Sequence, residues 1–175
     1  PFYSQFVLEL PDNWLHANVY NVPLNELEEI IDNALNKGYS VGWASDVSVK
    51  GFSWRNGVAI IPELKIEDLG GSERSRWESL TPAEREKEMY KFDKPITEKT
   101  ITQENRQIGF DNYTTTDDHG MLITGIYTDQ LGNKFYKVKN SWDVTNVYGG
   151  YLYASRAFVM YKTTNIMVHK NAIPK

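Results

Sequence analysis

Between Met121 and Val168 the chain carries five short runs rich in β-branched and aromatic residues: Met121 to Tyr127, Lys134 to Lys139, Tyr151 to Ser155, Phe158 to Tyr161 and Asn165 to Val168. Asp129, Gly132, Asn133, Gly149 and Gly150 punctuate them. Strands so closely spaced argue for an antiparallel, partly closed sheet. This is the tightest constraint on the fold.

Ahead of that sheet, after an aromatic opening (Phe2, Tyr3, Phe6, Trp14), one helix is written plainly between Pro23 and Lys37. Leu24, Leu27, Ile30, Ile31, Ala34 and Leu35 make one apolar face, Pro23 suits a first turn, and Gly38 suits the C-terminal cap. Glu26, Glu28 and Glu29 favour the positive N-terminal end. Tyr39 to Ser45 and Gly57 to Ile61 then read as short strands. From residue 62 to 110 the chain turns charged, with no sustained apolar face, and reads as an insertion over the core. Within it Thr81, Pro82 and Glu84 form an N-cap, first-turn proline and capping-box acid, so one surface helix is expected over Arg85 to Lys91. Trp77, Met89 and Tyr90 offer an oligomer contact as the lesser alternative to a solvated excursion.

A length of 175 residues with 41% hydrophobic content sustains one core, so one domain is expected. The formal charge of -4 supplies no basic field for nucleic acid or anionic lipid, and neither partner is expected. Apolar runs such as Val58 to Pro62 fall far short of the roughly 20 residues that span a bilayer, so the expectation is a soluble protein without a membrane partner. There is no cysteine, which excludes disulfides, thiolate metal sites and a thiol nucleophile within these residues. The chain opens on Pro1 with no basic-then-apolar segment after it, so a piece of a longer protein is expected.

Of three histidines, His16 and His169 have ordinary surface-type neighbours, whereas His119 stands where the polar run Thr114 to Asp118 meets an apolar strand. A general base needs firm backbone on one side and an open cleft on the other, and a strand end supplies both. A lone histidine there is more often a structural side chain. The next strand changes the balance, because Tyr136, Val138 and Lys139 run into Asn140, Ser141 and Trp142. An asparagine oxygen accepting from one imidazole N–H sets tautomer and orientation without adding negative charge, which suits a thiolate partner. A neighbouring indole would exclude water from that hydrogen bond.

The segments Asp118-His119-Gly120-Met121 and Val138-Lys139-Asn140-Ser141-Trp142, followed by Gly150-Tyr151, resemble the His and Asn motifs of papain-like cysteine peptidases. The runs Thr115 to His119, Gln103 to Asp111, Ser40 to Asp46 and Arg156 to Lys162 resemble the aminopeptidase C and bleomycin hydrolase branch. The resemblance implies an α+β fold: the antiparallel, barrel-like half of a papain-like enzyme, with one packed helix and a charged helical insertion. It makes His119 the general base and acid, Asn140 the orienting residue, and Trp142 the shield and part of the leaving-group side of the cleft. Asp118 resembles the acid that often precedes this histidine, with a loop-capping role equally open. Asp143 departs from the usual glycine after the tryptophan, so a left-handed or turn conformation is expected there.

By the same resemblance the enzyme also needs a Cys at a helix N-terminus and an oxyanion-hole Gln before it. Neither is here, and Gln103, Gln107 and Gln130 lie in the wrong part of the chain. The resemblance thus implies peptide substrates cleaved at their N-termini through a thioester, a Cys-bearing N-terminal part outside this chain, and no metal or organic cofactor. It further implies a hexameric ring, C-terminal residues lying in the cleft, and a cytoplasmic location, with an exported form left open. Two rivals stand beside it. One is a metal site from Asp117, Asp118 and His119 with Asp111, although adjacent residues rarely converge on one ion. The other is a non-catalytic binding or assembly module using Trp14, Trp43, Trp54 and Trp142 for stacking, with core the better reading of the first three. A half-enzyme is also expected to expose an apolar wall and to self-associate.

Overall fold

The computed structural model describes residues 1–9, 13 and 15–174, so the readings of Trp14 and Lys175 fall outside the described residues. The aromatic opening forms a two-stranded antiparallel ribbon, β1 (Ser4–Val7) with β2 (Asn18–Asn21), that the sequence had not disclosed. The expected helix follows as α1 (Leu24–Asn36), burying Leu27, Ile31 and Ala34. Its C-terminus closes as the spacing predicted. Gly38 takes φ +81°, its N–H donates to the Leu35 carbonyl at 3.0 Å and that of Tyr39 to Ala34 at 2.9 Å, which together make a Schellman cap.

The main sheet comprises β3 (Val41–Ser45), β4 (Phe52–Ser53), β5 (Val58–Ala59), β6 (His119–Thr128), β7 (Lys134–Lys139), β8 (Tyr151–Ser155) and β9 (Thr163–Met167). Its order is β4-β5-β8-β7-β6-β3-β9, antiparallel throughout except for the β5–β8 pair, and it curls into half a barrel. Val41, Ile123, Val138 and Leu152, at 1% exposure or less, project from four of these strands into one core with α1 behind them. Trp43, 2% exposed, crosses this core and donates from its indole N–H to the Thr163 hydroxyl at 2.7 Å.

One expected strand is a helix. Phe158 to Tyr161 lies within α5 (Arg156–Lys162), where Ala157, Phe158, Val159, Met160 and Lys162 are all buried. A helix enclosed on every side shows no 3.6-residue alternation, so a short apolar run reads equally as strand or buried helix. The deciding residue is Ser155, whose hydroxyl accepts from the Phe158 N–H at 3.0 Å and caps the first turn.

The charged stretch 62–110 holds more than the single expected helix: α2 (Gly71–Ser79), α3 (Pro82–Met89) and α4 (Gln103–Asp111). The capping box at Thr81 and Glu84 starts α3 as read. The box that starts α4 uses Thr102 and Asn105 instead of a glutamate or glutamine, a weaker signal in sequence. Nor is the stretch detached from the core. Ile101 joins it, and Trp77, offered as an oligomer contact, is 4% exposed within the chain.

Candidate active site

The β3–β6 ladder sets His119 opposite Ser45 at the start of β6, while β7 ends one residue before Asn140. His119 shares a face of its strand with Met121 and Ile123, and Asn140 shares one with Tyr136 and Val138; all four apolar partners are core residues. The two polar side chains therefore meet at the rim of the core. His119 Nε2 and Asn140 Oδ1 are 2.7 Å apart. Since Asn140 Oδ1 also accepts from the Ser141 N–H at 2.7 Å, it serves as acceptor, and Nε2 is the protonated ring nitrogen. Nδ1 makes no hydrogen bond among the described residues, which leaves it able to exchange a proton with a third group.

Trp142 lies over this pair, its ring centroid 4.9 Å from that of His119 at 33°. Phe52 and Trp54 back it edge-on at 5.8 and 5.4 Å. Trp54 packs against the core, as expected, and touches Trp142 from there; Phe52 is not singled out by sequence, and no local signal links either residue to a tryptophan so far along the chain. With Asn140 only 2% exposed, the carboxamide end of the hydrogen bond is shielded from solvent, while Trp142, 45% exposed, covers the imidazole at a tilt.

The loop beyond is self-contained. Asn146 accepts from the Gly150 N–H at 2.7 Å and donates to the Tyr151 carbonyl at 2.6 Å, while the Asn140 N–H donates to the Gly150 carbonyl at 3.1 Å. Asp143 is not left-handed, and its carboxylate accepts from the Thr145 N–H at 2.8 Å and hydroxyl at 2.6 Å, holding the loop through its side chain. The positive φ angles fall at Gly149 and Gly150, and at Gly150 a Cβ would lie 2.5 Å from Lys139 Nζ.

Asp118 does not bond the His119 ring. Its carboxylate accepts from the backbone N–H groups of Val47 at 3.2 Å and Ser48 at 3.0 Å and from the Thr116 hydroxyl at 2.7 Å, which is the loop-capping role. Desolvation raises its pKa, but the hydrogen bonds from Ser48 and Thr116 outweigh that and bring it down to about 2. A depressed carboxyl contributes stability that is present above its unfolded value of ~3.9 and lost as pH falls through about 2. Asp118→Asn is thus expected to lower the melting temperature near neutrality, with the two proteins converging below the folded-state value; equal melting temperatures at neutral pH would refute the contribution.

The other candidates are dispersed. Asp117 binds the Thr164 hydroxyl at 2.6 Å, Asp111 accepts from Gln107 at 2.8 Å, and among the described residues no three His, Cys, Asp or Glu side chains gather as a metal site. Gln103 accepts from the Leu24 N–H at 2.9 Å, capping α1. His169 stacks on Tyr39 at 4.7 Å, and His16 sits at φ +49° on the surface. Lys170–Ala172 is docked on α1, beyond the end of β9 remote from His119.

The imidazole–carboxamide pair thus stands at the rim of a half-barrel in a mixed α+β fold. Residues 69–175 match the peptidase C1-like family, and the chain belongs to that family. Its fold is similar to PepW from Lactobacillus rhamnosis HN001, with a TM-score of 0.63 at 19% identity, covering 99% of this chain and 33% of that one. The chain thus spans about a third of the length of PepW. Slighter likenesses are to bromelain from Ananas comosus in complex with E64, with a TM-score of 0.39 at 13% identity over 83% of this chain and 46% of that one. The ragweed pollen cysteine protease Amb a 11 also gives a TM-score of 0.39, at 17% identity over 83% of this chain and 30% of that one. No curated protein matches the chain.

Proposed function

We propose that this chain supplies the histidine and asparagine of a cysteine aminopeptidase whose thiol lies elsewhere in a longer protein. The observation that supports this most is the 2.7 Å His119–Asn140 contact beneath Trp142, with Nδ1 left for a thiol. On this reading Nδ1 takes the thiol proton, and the thiolate attacks the scissile carbonyl carbon. As the tetrahedral intermediate collapses, the carbon–nitrogen bond breaks and Nδ1–H passes its proton to the leaving amine. A thioester remains. Water, deprotonated by Nδ1, then attacks the thioester, releasing the N-terminal residue and returning the thiol. Asn140 holds the ring throughout, and its neutral oxygen leaves the imidazolium free to pair with the thiolate.

The test uses the full-length protein and reporter amides of single amino acids. It is expected to release the reporter amine from free-amino substrates, to fail on N-acetylated ones and to be silenced by thiol alkylation. The 175-residue chain alone, having no cysteine, is expected to stay at background. Turnover by the cysteine-free chain would overturn the mechanism, and equal turnover of acetylated substrates would overturn the aminopeptidase reading.

A further inference from the structure

A buried ion pair lies behind the segment that delivers His119. Lys162, at the end of α5, is 4% exposed and Asp46, just after β3, is 2% exposed; Nζ and Oδ2 are 2.9 Å apart. The pair is also a hub. Lys162 Nζ donates to the Thr114 carbonyl and, at 3.2 Å, to the Thr115 hydroxyl. Asp46 accepts from the Thr116 N–H at 3.4 Å and from the Ser48 N–H at 3.0 Å. The Lys162 carbonyl in turn accepts from the Asp46 N–H at 3.1 Å and the Ser45 hydroxyl at 3.0 Å. Three segments distant in sequence are thus tied at one point: the end of β3, the end of α5, and the irregular run 112–118 that enters β6 at His119.

Two buried charges are costly to desolvate, and a pair of this kind is weak evidence for stability alone. What it can secure is a unique arrangement. The run 112–118 has little ladder of its own, and Tyr113 stands at φ +60°. Side chains alternate along a strand, so an entry displaced by one residue would turn His119 to the opposite face of β6, away from Asn140. Fixing Thr114, Thr115 and Thr116 on one ammonium–carboxylate centre removes that freedom.

We infer that Lys162 and Asp46 are positioning residues for His119, clamping the 114–118 entry so that the imidazole keeps its contact with Asn140. The inference rests on the proposed role of His119. It is tested in the full-length enzyme with Asp46→Asn/Lys162→Met, which removes both charges and leaves neither buried alone. Per titrated active-site thiol, kcat is expected to fall about 10- to 100-fold, the scale of a reacting group displaced by roughly an ångström, with KM within about threefold. In histidine-labelled enzyme, the His119 Nε2–H proton resonance is expected to broaden through faster exchange with water. Unchanged kcat per thiol with an intact resonance overturns the inference, even if the melting temperature drops. Should the double variant fail to fold, Thr115→Val, which removes the hydroxyl 3.2 Å from Lys162 Nζ and leaves the ion pair whole, is read by the same two measurements, a smaller loss of kcat supporting the clamp and none overturning it. His119→Ala serves as the separate control: if it stays active, the reading of the site fails, whereas an inactive His119→Ala beside an unaffected clamp variant rejects the clamp alone.

Discussion

Replacing His119 with alanine in the full-length enzyme is expected to bring turnover of aminoacyl reporters to background, a loss of at least about 10⁴-fold in kcat/KM. Two functions vanish together. Without an imidazole beside it, the thiol keeps a pKa near its unperturbed ~8.5, so few molecules carry a thiolate at neutral pH. The leaving amine then also departs without the proton that Nδ1–H would supply. The fold is expected to survive, because His119 is half-exposed at a strand end and the neighbouring core residues Met121 and Ile123 keep their packing. Circular dichroism and alkylation kinetics of the thiol check the two halves of the argument: native spectra, with alkylation at neutral pH slowed to the rate of an ordinary cysteine. Wild-type turnover by the variant would overturn the mechanism.

The Asn140→Ala enzyme is expected to retain activity at a level about 10- to 1,000-fold below wild type. The acid–base group remains, but the ring loses the acceptor 2.7 Å from Nε2 that sets its tautomer and its angle. It would be left with a ring N–H that has lost its acceptor, facing the place the buried carboxamide had filled. The Ser141 N–H loses the same acceptor, so the start of the loop is expected to loosen as well. The loss should fall mainly on kcat, since Asn140 is buried and orients the ring without reaching substrate. A titration of kcat/KM against pH, with thiols counted by alkylation, separates a misoriented base from a fall in the number of competent sites. Wild-type kcat in a folded Asn140→Ala enzyme would show that the carboxamide does not orient the histidine.

Much of this arrangement is legible in the sequence. Leu27, Ile31 and Ala34 recur at helical spacing with Gly38 behind them, and the Schellman cap formed where that spacing placed it. β6, β7 and β8 alternate between core and outer residues and are bounded by turn formers, so their existence could be read with few errors. Their order along the chain also brought His119 and Asn140 toward one rim. The failures have a common physical origin. α5 buries the unbroken run Ala157 to Met160, so its period is invisible; α4 begins on an unusual Thr102–Asn105 box; and β1 with β2 closes a ribbon across a long connection instead of a tight turn.

Sequence by itself determined the features whose causes lie within a few residues: caps, periodicities, turn glycines, and the motif pair of His119 and Asn140. Tertiary structure alone decided which groups surround that pair. Phe52 and Trp54 come to support Trp142, Asp118 turns to the backbone of Val47 and Ser48, and Lys162 reaches Asp46 across 116 positions. These contacts follow from the strand order β4-β5-β8-β7-β6-β3-β9, which brings distant stretches side by side. A local pattern encodes which face of a strand is buried, whereas the identity of the neighbour across the sheet is settled only when non-local strands pair and the cost of closing the loops between them is met.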